Sequence, residues 1–270
     1  GIMPELPEVE TIKNSLQEIL PLRIKEIELR REDILRCRDY ALEELTGQII
    51  KEASRRGKYL TLAVDNGLFL VFHLGMSGRL YIQEEETTVL ESHVHVIIHL
   101  DKRLKLLYQD ARRFGGLWLL KDIDSFFSRL GKEPLSEEFC PRYLEQVLQG
   151  RQTAIKNLLL NQNLISGIGN IYADEALFMA GIRPDRQAAS LSAREIEGLC
   201  CGIKEVLAKS IKYRGTTFRD YRDGKRQPGE FQNHLQVYGR FNQACPNCGQ
   251  PLKRSRIGGR SSHYCEKCQQ

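Results

Sequence analysis

Met3-Pro4-Glu5-Leu6-Pro7-Glu8-Val9-Glu10-Thr11 is the stretch from which the rest of the chain is read. Its two prolines and three carboxylates stand at the front of the apolar series Val9, Ile12, Leu16 and Ile19/Leu20, with Glu10 just inside it. That 3.6-residue rhythm predicts a helix over residues 7–20. One reading of the stretch is structural. Proline suits a first helical turn because its missing N–H would have no partner there, and acidic residues complement the positive end of the helix dipole. The other reading is chemical. A terminal proline exposes a secondary amine that can attack an electrophilic carbon and form an iminium, and a carboxyl group beside it could move the proton this requires. Both readings fit the nine residues, and the downstream chain must choose between them.

Beyond residue 23 the pattern changes to short β-rich runs: Ile24–Leu29, Tyr59–Val64, Leu68–His73, His93–Leu100, Leu104–Tyr108 and Leu117–Leu120. Turn signals such as Asp65-Asn66-Gly67 and Asp101-Lys102 punctuate them. Many short strands with little helix between them predict an antiparallel sandwich or barrel, and Arg31–Thr46 is read as a further helix. Around Leu130–Pro141 the composition becomes loop-like, which marks a boundary. Thr153–Gln162, Asn170–Ala180 and Ser192–Lys212 show helical spacing, and Ser192-x-x-Glu195 fits a capping box. Residues 213–232 carry Gly, Arg, Thr, Asp and Pro without period and read as a long mobile loop. The expected organisation is α+β and multi-domain: 1–132, 133–240 with the loop 214–231 inside it, and 241–270.

The totals exclude some classes. With 270 residues and 41% hydrophobic content, one large domain or two smaller ones can bury a core. The net charge of +5 permits an anionic partner without demanding one. No apolar run approaches the roughly 18 residues a membrane span needs, and no long apolar leader opens the chain. The expectation is therefore a cytoplasmic protein with no membrane partner.

The sharpest single signal is Cys245-x2-Cys248-x16-Cys265-x2-Cys268. Two Cys-x-x-Cys pairs a hairpin's length apart suit one tetrahedral Zn²⁺, closed to substrate and hence structural. Between them, Lys253-Arg254-Ser255-Arg256-Ile257-Gly258-Gly259-Arg260 is basic and glycine-bearing. It is either a solvated hairpin or a finger whose guanidinium groups grip phosphate. Asn161–Asn170, with Gly167 and Gly169, reads as a helix–turn–helix corner with Asn170 as N-cap. A helix start with free N–H groups can also seat a phosphate, and Arg151 and Lys156 upstream would add charge. Arg55-Arg56-Gly57-Lys58-Tyr59 is a charged turn or a site. Gly75-Met76-Ser77-Gly78 and Arg112-Arg113-Phe114-Gly115 put large apolar side chains at glycine-flanked turns. These are core packing, or wedges of the kind that enter a DNA base stack.

Taken together, five motifs resemble the bacterial formamidopyrimidine-DNA glycosylases over almost the whole chain. They are Pro4-Glu5-Leu6-Pro7-Glu8-Val9-Glu10-Thr11; His73-Leu74-Gly75-Met76-Ser77-Gly78; Asp110-x-Arg112-Arg113-Phe114-Gly115; Gly167-x-Gly169-Asn170-Ile171-Tyr172; and the four-cysteine finger. The resemblance implies an N-terminal antiparallel β-sandwich flanked by helices, a helix–two-turn–helix bundle and a β-hairpin zinc finger, with DNA bound between the lobes. It implies base-excision repair by a bifunctional glycosylase and AP lyase acting on oxidised purines such as 8-oxoguanine and formamidopyrimidines. The partner is double-stranded DNA containing oxidised bases, the one cofactor a structural Zn²⁺, the state a monomer, and the location the bacterial nucleoid. Pro4 would be the nucleophile at the sugar C1′, Glu5 its acid/base partner, and Glu8 a supporting carboxylate. Lys58 and Arg260 would assist elimination and touch phosphate. His73, His93, Arg112, Arg151, Lys156 and Asn170 would position the DNA. Met76, Arg112 and Phe114 would fill the gap left by the extruded base, and the loop Gly215–Phe231 would close over that base. The chemistry is coherent, since a base inside a duplex must be flipped before its sugar can be reached. An α-amine with a pKa of about 8 is also far more often neutral than a lysine near 10.4.

Three departures qualify the resemblance. Gly1, Ile2 and Met3 precede Pro4, so its nitrogen is acylated as written, and this polypeptide is expected not to form the proline iminium. Ser92-His93-Val94-His95 stands where the family usually has Lys-His-Asp-His. Arg219–Gly229 is more basic than expected of the family. The competing readings are an endonuclease VIII-like enzyme for oxidised pyrimidines and a lesion-binding protein without turnover.

Overall fold

Helix α1 (Leu6–Gln17) begins where the prolines predict, with Glu5 as its N-cap and Pro7 in the first turn. The Glu5 N–H donates to Glu8 Oε1 at 2.8 Å, so the two acidic residues close the start of the helix on each other. Leu6, Val9, Ile12 and Leu16 make its buried face. This is a computed structural model, and it describes residues 3–270. Gly1 and Ile2, and with them the expected blocking of Pro4 by these two residues, lie outside the described residues.

Nine strands follow: β1 (Leu22–Leu29), β2 (Leu35–Arg38), β3 (Ile49–Arg56), β4 (Tyr59–Val64), β5 (Phe69–His73), β6 (Gly78–Glu84), β7 (Val94–Leu100), β8 (Leu104–Asp110) and β9 (Gly116–Leu120). They run in the order β2-β9-β5-β4-β3-β1-β7-β8-β6. Every neighbouring pair is antiparallel except β2 with β9. Strand β1 belongs to two ladders: Leu22 and Arg23 pair with β3, whereas Ile24–Leu29 pair with β7. The ladders fold over one core, in which Leu60, Leu70, Phe72 and Leu117 of one half join Leu80, Val96, Ile98 and Tyr108 of the other. This is the expected sandwich, with α1 contributing Val9, Ile12 and Leu16 to the same core.

The helix expected over Arg31–Thr46 is absent. Two short 3-10 turns, Glu32–Ile34 and Leu42–Leu45, flank β2 instead. Leu35, Cys37 and Arg38 pair with β9, so covering an exposed strand edge outweighs local helix propensity.

By internal contacts the chain divides into unit 1, residues 1–128 with 213–232, and unit 2, residues 129–212 with 233–270. Residues 213–232, read from sequence with the helical part, therefore group with the sandwich. Buried Tyr221 explains this, because its ring joins the sandwich core. Unit 1 also holds α2 (Ile123–Phe126).

Unit 2 contains α3 (Pro141–Leu148), α4 (Ile155–Leu159), α5 (Asn170–Ala180) and α6 (Ala193–Lys212), then the hairpin β10 (Lys253–Ile257) and β11 (Arg260–Tyr264). The capping box of α6 forms as read: Ser192 N–H donates to Glu195 Oε1 at 2.9 Å, and Glu195 N–H to Ser192 Oγ at 3.1 Å. Helix α4 is shorter than its apolar spacing predicts. Asn161 Oδ1 takes the N–H of Asn163, and Gln162 binds the backbone of Leu160, Gly167 and Ile168, so side chains compete with the helix ladder. Among the described residues, no helix is long and apolar enough to cross a membrane.

Candidate active site and metal centre

A cavity of about 600 Å³ opens in unit 1. Met3, Pro4 and Glu8 form one wall, Ser77, Ala111 and Arg112 another, and Thr216 with Phe218–Tyr221 the third. Pro4 is buried in that wall and Glu5 is 1% exposed. Glu8 joins the N-terminal wall to the loop, because its Oε2 accepts the Thr216 N–H at 3.0 Å. Gly215 leaves no room there for a side chain: a Cβ would lie 2.9 Å from Glu8 Oε2, and its φ of +80° lies in the left-handed region that glycine adopts without strain. Lys58, at the β3–β4 turn, reaches the same corner, with its Nζ 3.6 Å from Met3 Sδ.

The two glycine-flanked turns are stitched together by Asp110, the first residue of the Asp110-x-Arg112-Arg113-Phe114-Gly115 motif, to which the sequence assigns no role of its own. Its Oδ1 accepts Ser77 Oγ–H at 2.7 Å and Arg113 N–H at 3.1 Å, and its Oδ2 accepts Tyr108 O–H at 2.8 Å and Gly115 N–H at 3.0 Å. Arg112 N–H donates to Ser77 Oγ at 3.0 Å. At Gly75 a Cβ would meet Gly115 N at 2.4 Å, so the two turns touch backbone to backbone. This frame holds Phe114 out of the core, 60% exposed, with the Arg112 guanidinium 5.0 Å from its ring centre. Met76 is half-buried on the neighbouring turn.

His73 lies beneath this frame. Its Nδ1 accepts the Gly75 N–H at 3.0 Å. Burial, aided by the nearby Lys58 charge, lowers its pKa to about 4. The ring is therefore neutral at pH 7, and any role toward DNA is that of a hydrogen-bonding group rather than a cation. His93 is exposed at a backbone φ of 65°.

In unit 2, Arg151 is exposed. Lys156 is fully buried, contrary to its expected place beside a phosphate. Its Nζ pairs with Asp174 Oδ1 at 2.8 Å and donates to Ser261 O at 3.1 Å, and both charged side chains have no exposure. Asp174 also accepts Ser262 Oγ–H at 2.7 Å and His263 N–H at 2.8 Å, which fastens α5 to β11. Asn170 is the first residue of α5 rather than its cap. Gly169 takes the cap position, and Asn170 Oδ1 is buried without a hydrogen-bond partner. Arg260 is exposed at the start of β11. The turn before it is Gly258-Gly259, with φ of 58° and 79°, the two-residue geometry that glycine permits.

The four cysteines Cys245, Cys248, Cys265 and Cys268 bring their Sγ atoms within 4.8 Å of one another, and none is in a disulfide. Cys245 and Cys268 Sγ are 3.8 Å apart, and Cys248 and Cys265 Sγ are 3.5 Å apart. A tetrahedron with Zn–S bonds of about 2.3 Å has edges of roughly 3.8 Å, so the donor set fits one structural Zn²⁺. Phe178, Val237 and Leu252 pack on the cysteines. Glu175 holds the approach to the finger by accepting the N–H groups of Gln236, Val237 and Tyr238.

Comparisons with known proteins agree with this geometry. Residues 3–117 match the formamidopyrimidine-DNA glycosylase N-terminal domain, residues 130–222 its H2TH domain, and residues 242–270 the zinc finger found in FPG and IleRS. A formamidopyrimidine-DNA glycosylase of Syntrophomonas wolfei is 96% identical over 268 residues, 99% of this chain and 100% of that one. The crystal structure of the MutM (FPG) protein from Thermus thermophilus superposes with a TM-score of 0.88 at 38% identity, covering 98% of each chain. A mutant Lactococcus lactis FPG in complex with a Fapy-dG containing DNA superposes with a TM-score of 0.91 at 34% identity, covering 99% of this chain and 100% of that one.

Proposed function

The chain belongs to the formamidopyrimidine-DNA glycosylase family, the base-excision repair glycosylases, and on that premise we propose that it removes oxidised purines from duplex DNA and then nicks the strand. The observation that carries this reading is the shared cavity wall: Pro4 and Glu8 face a space bounded by Arg112 and by the loop residues Thr216 and Phe218–Tyr221. That space suits a single flipped base.

In the proposed sequence the Pro4 nitrogen bonds to the sugar C1′ while the bond from C1′ to the base breaks and the base leaves with a proton. Glu5 is the acid/base partner, and Glu8 supports it. The sugar ring then opens: the C1′–O4′ bond breaks, O4′ takes a proton from Glu5, and the iminium so formed at C1′ acidifies C2′. Loss of a C2′ proton expels the 3′ phosphate, and a second elimination expels the 5′ phosphate. Lys58 and Arg260 assist by holding phosphate. Phe114, Met76 and Arg112 occupy the gap in the stack and offset part of the cost of flipping. His73, His93, Arg151 and Asn170 position the duplex, and Lys156 does so through the hairpin it fastens. The zinc site gives the finger its rigidity and takes no part in a bond-making step.

Pro4 follows Met3 in this chain, and an acylated nitrogen cannot form an iminium. We expect a chain that starts at Pro4 to nick an 8-oxoguanine duplex and to be trapped on it by borohydride, and the longer chain to do neither. Equal trapping of both chains would refute Pro4 as the nucleophile. Glu5→Gln in the Pro4-first chain should slow base release by about 10²–10⁴-fold. A parallel set of oxidised-pyrimidine duplexes tests the purine assignment, which fails if those are cut faster.

A further inference from the structure

The loop of residues 213–232 has two arms. Thr216 and Phe218–Tyr221 line the cavity, whereas Asp223–Arg226 do not. The second arm is fastened to other parts of unit 1. Ile82 N–H, on the edge strand β6, donates to Gly224 O at 2.8 Å. Gly224 runs so close to α1 that a Cβ would lie 2.7 Å from Ser15 Cβ. Asp223 Oδ1 tightens the turn by accepting the N–H groups of Lys225 and Gln227 at 2.9 and 2.8 Å. Arg79, also on β6, ties the lining arm to the same strand, with its Nε donating to Asp220 O at 2.7 Å.

Arg226 is the centre of this anchorage. Its guanidinium pairs with Glu91 and lies over the Tyr81 ring, 4.7 Å from the centroid. Glu91 is about one-third exposed, and the Arg226 hydrogen bond holds its carboxyl below the usual range. The Arg226 backbone has a φ of 65°, a conformation that a non-glycine residue keeps only when its surroundings impose it. By contrast Lys225 and Glu18, paired at 2.6 Å, are 56% and 63% exposed, which leaves little net contribution.

We propose that Arg226, with Glu91 and Tyr81, is a positioning set for lesion recognition: it fixes one arm of the loop so that the other is held where it meets a base in the cavity. This rests on the function proposed above. Its consequence is selective, because a nucleotide that carries a base gives the Thr216–Tyr221 arm something to hold, and an abasic nucleotide does not. A loosened anchor makes the arm lose conformational freedom on binding, and only the base-bearing nucleotide imposes that loss.

The test measures the affinity of the full chain for three duplexes: one with a non-cleavable carbocyclic 8-oxoguanine nucleoside, one with a tetrahydrofuran abasic analogue, and one undamaged. Arg226→Ala should weaken the base-bearing complex about tenfold, the scale of one charge-assisted contact and one cation–π contact, and leave the abasic complex unchanged. The exchanged pair Arg226→Glu with Glu91→Arg should recover most of the loss, which a merely misfolded loop would not. Equal weakening on both lesion duplexes, no weakening on either, or failure of the exchanged pair to recover would each overturn the proposal. A wild-type chain that bound the lesion duplexes no better than the undamaged one would instead overturn the function on which it rests.

Discussion

Individual residues here acquire their chemistry from what surrounds them. His73 could have been a phosphate-binding cation, but burial and the Lys58 charge lower its pKa from 6.5 to about 4. In that interval the unfolded chain binds the proton and the folded one does not, so stability rises with pH there. The neutral ring thus stabilises the fold fully above pH 6.5, and the contribution is lost as pH falls toward 4. His73→Asn keeps an acceptor for the Gly75 N–H without the titration, so its urea midpoint should fall less than that of the wild type between pH 6.5 and pH 4.5. Parallel pH dependences would show that His73 is not the group responsible. Asp110 makes the converse point. Named in the sequence only as the start of a motif, it gathers four hydrogen bonds and sets the stance of Phe114 and Arg112.

At the scale of elements, the joint between α5 and β11 depends on one buried ion pair. Lys156 and Asp174 are both fully buried, and Asp174 also carries Ser262 and His263. Breaking a buried pair costs about 3–5 kcal/mol, since the remaining charge is left unpaired. The direction of the effect on DNA binding separates two roles for Lys156. A lysine that reached for phosphate would be freed by Asp174→Asn, and affinity would hold or rise. A lysine that fixes the hairpin presenting Arg260 would lose its anchor, and affinity would fall. We expect the fall in a duplex-binding titration, together with a lowered urea midpoint for unit 2.

For the whole molecule, the division into two units separates the consequences of losing zinc. The cysteines and their apolar partners belong to unit 2, and the sandwich core of unit 1 contains no zinc ligand. Stripping the metal with a chelator should therefore speed hydrogen exchange at β10 and β11 and leave β3–β5 protected. The dependence of DNA affinity on salt should become shallower by about one unit of log–log slope for each phosphate contact the finger gives up. A uniform rise in exchange across both units would contradict this independence.

Much of the architecture was legible because it is local or strongly periodic. The Cys-x-x-Cys pairs, the capping box of Ser192 and Glu195, the α1 rhythm and most strands each announce themselves within a few residues. Spacing alone determined the zinc ligands, since four thiolates can converge on one ion only if the intervening chain returns them. Tertiary structure decided what depends on distant partners: that Leu35–Arg38 is a strand, because β9 offers it an edge; that Lys156 is buried, because Asp174 waits eighteen positions on in sequence; and that residues 213–232 are held against the sandwich by Glu8, Ile82 and Glu91. No window of sequence contains those partners, and burial and charge pairing act only between groups that the fold has already brought together.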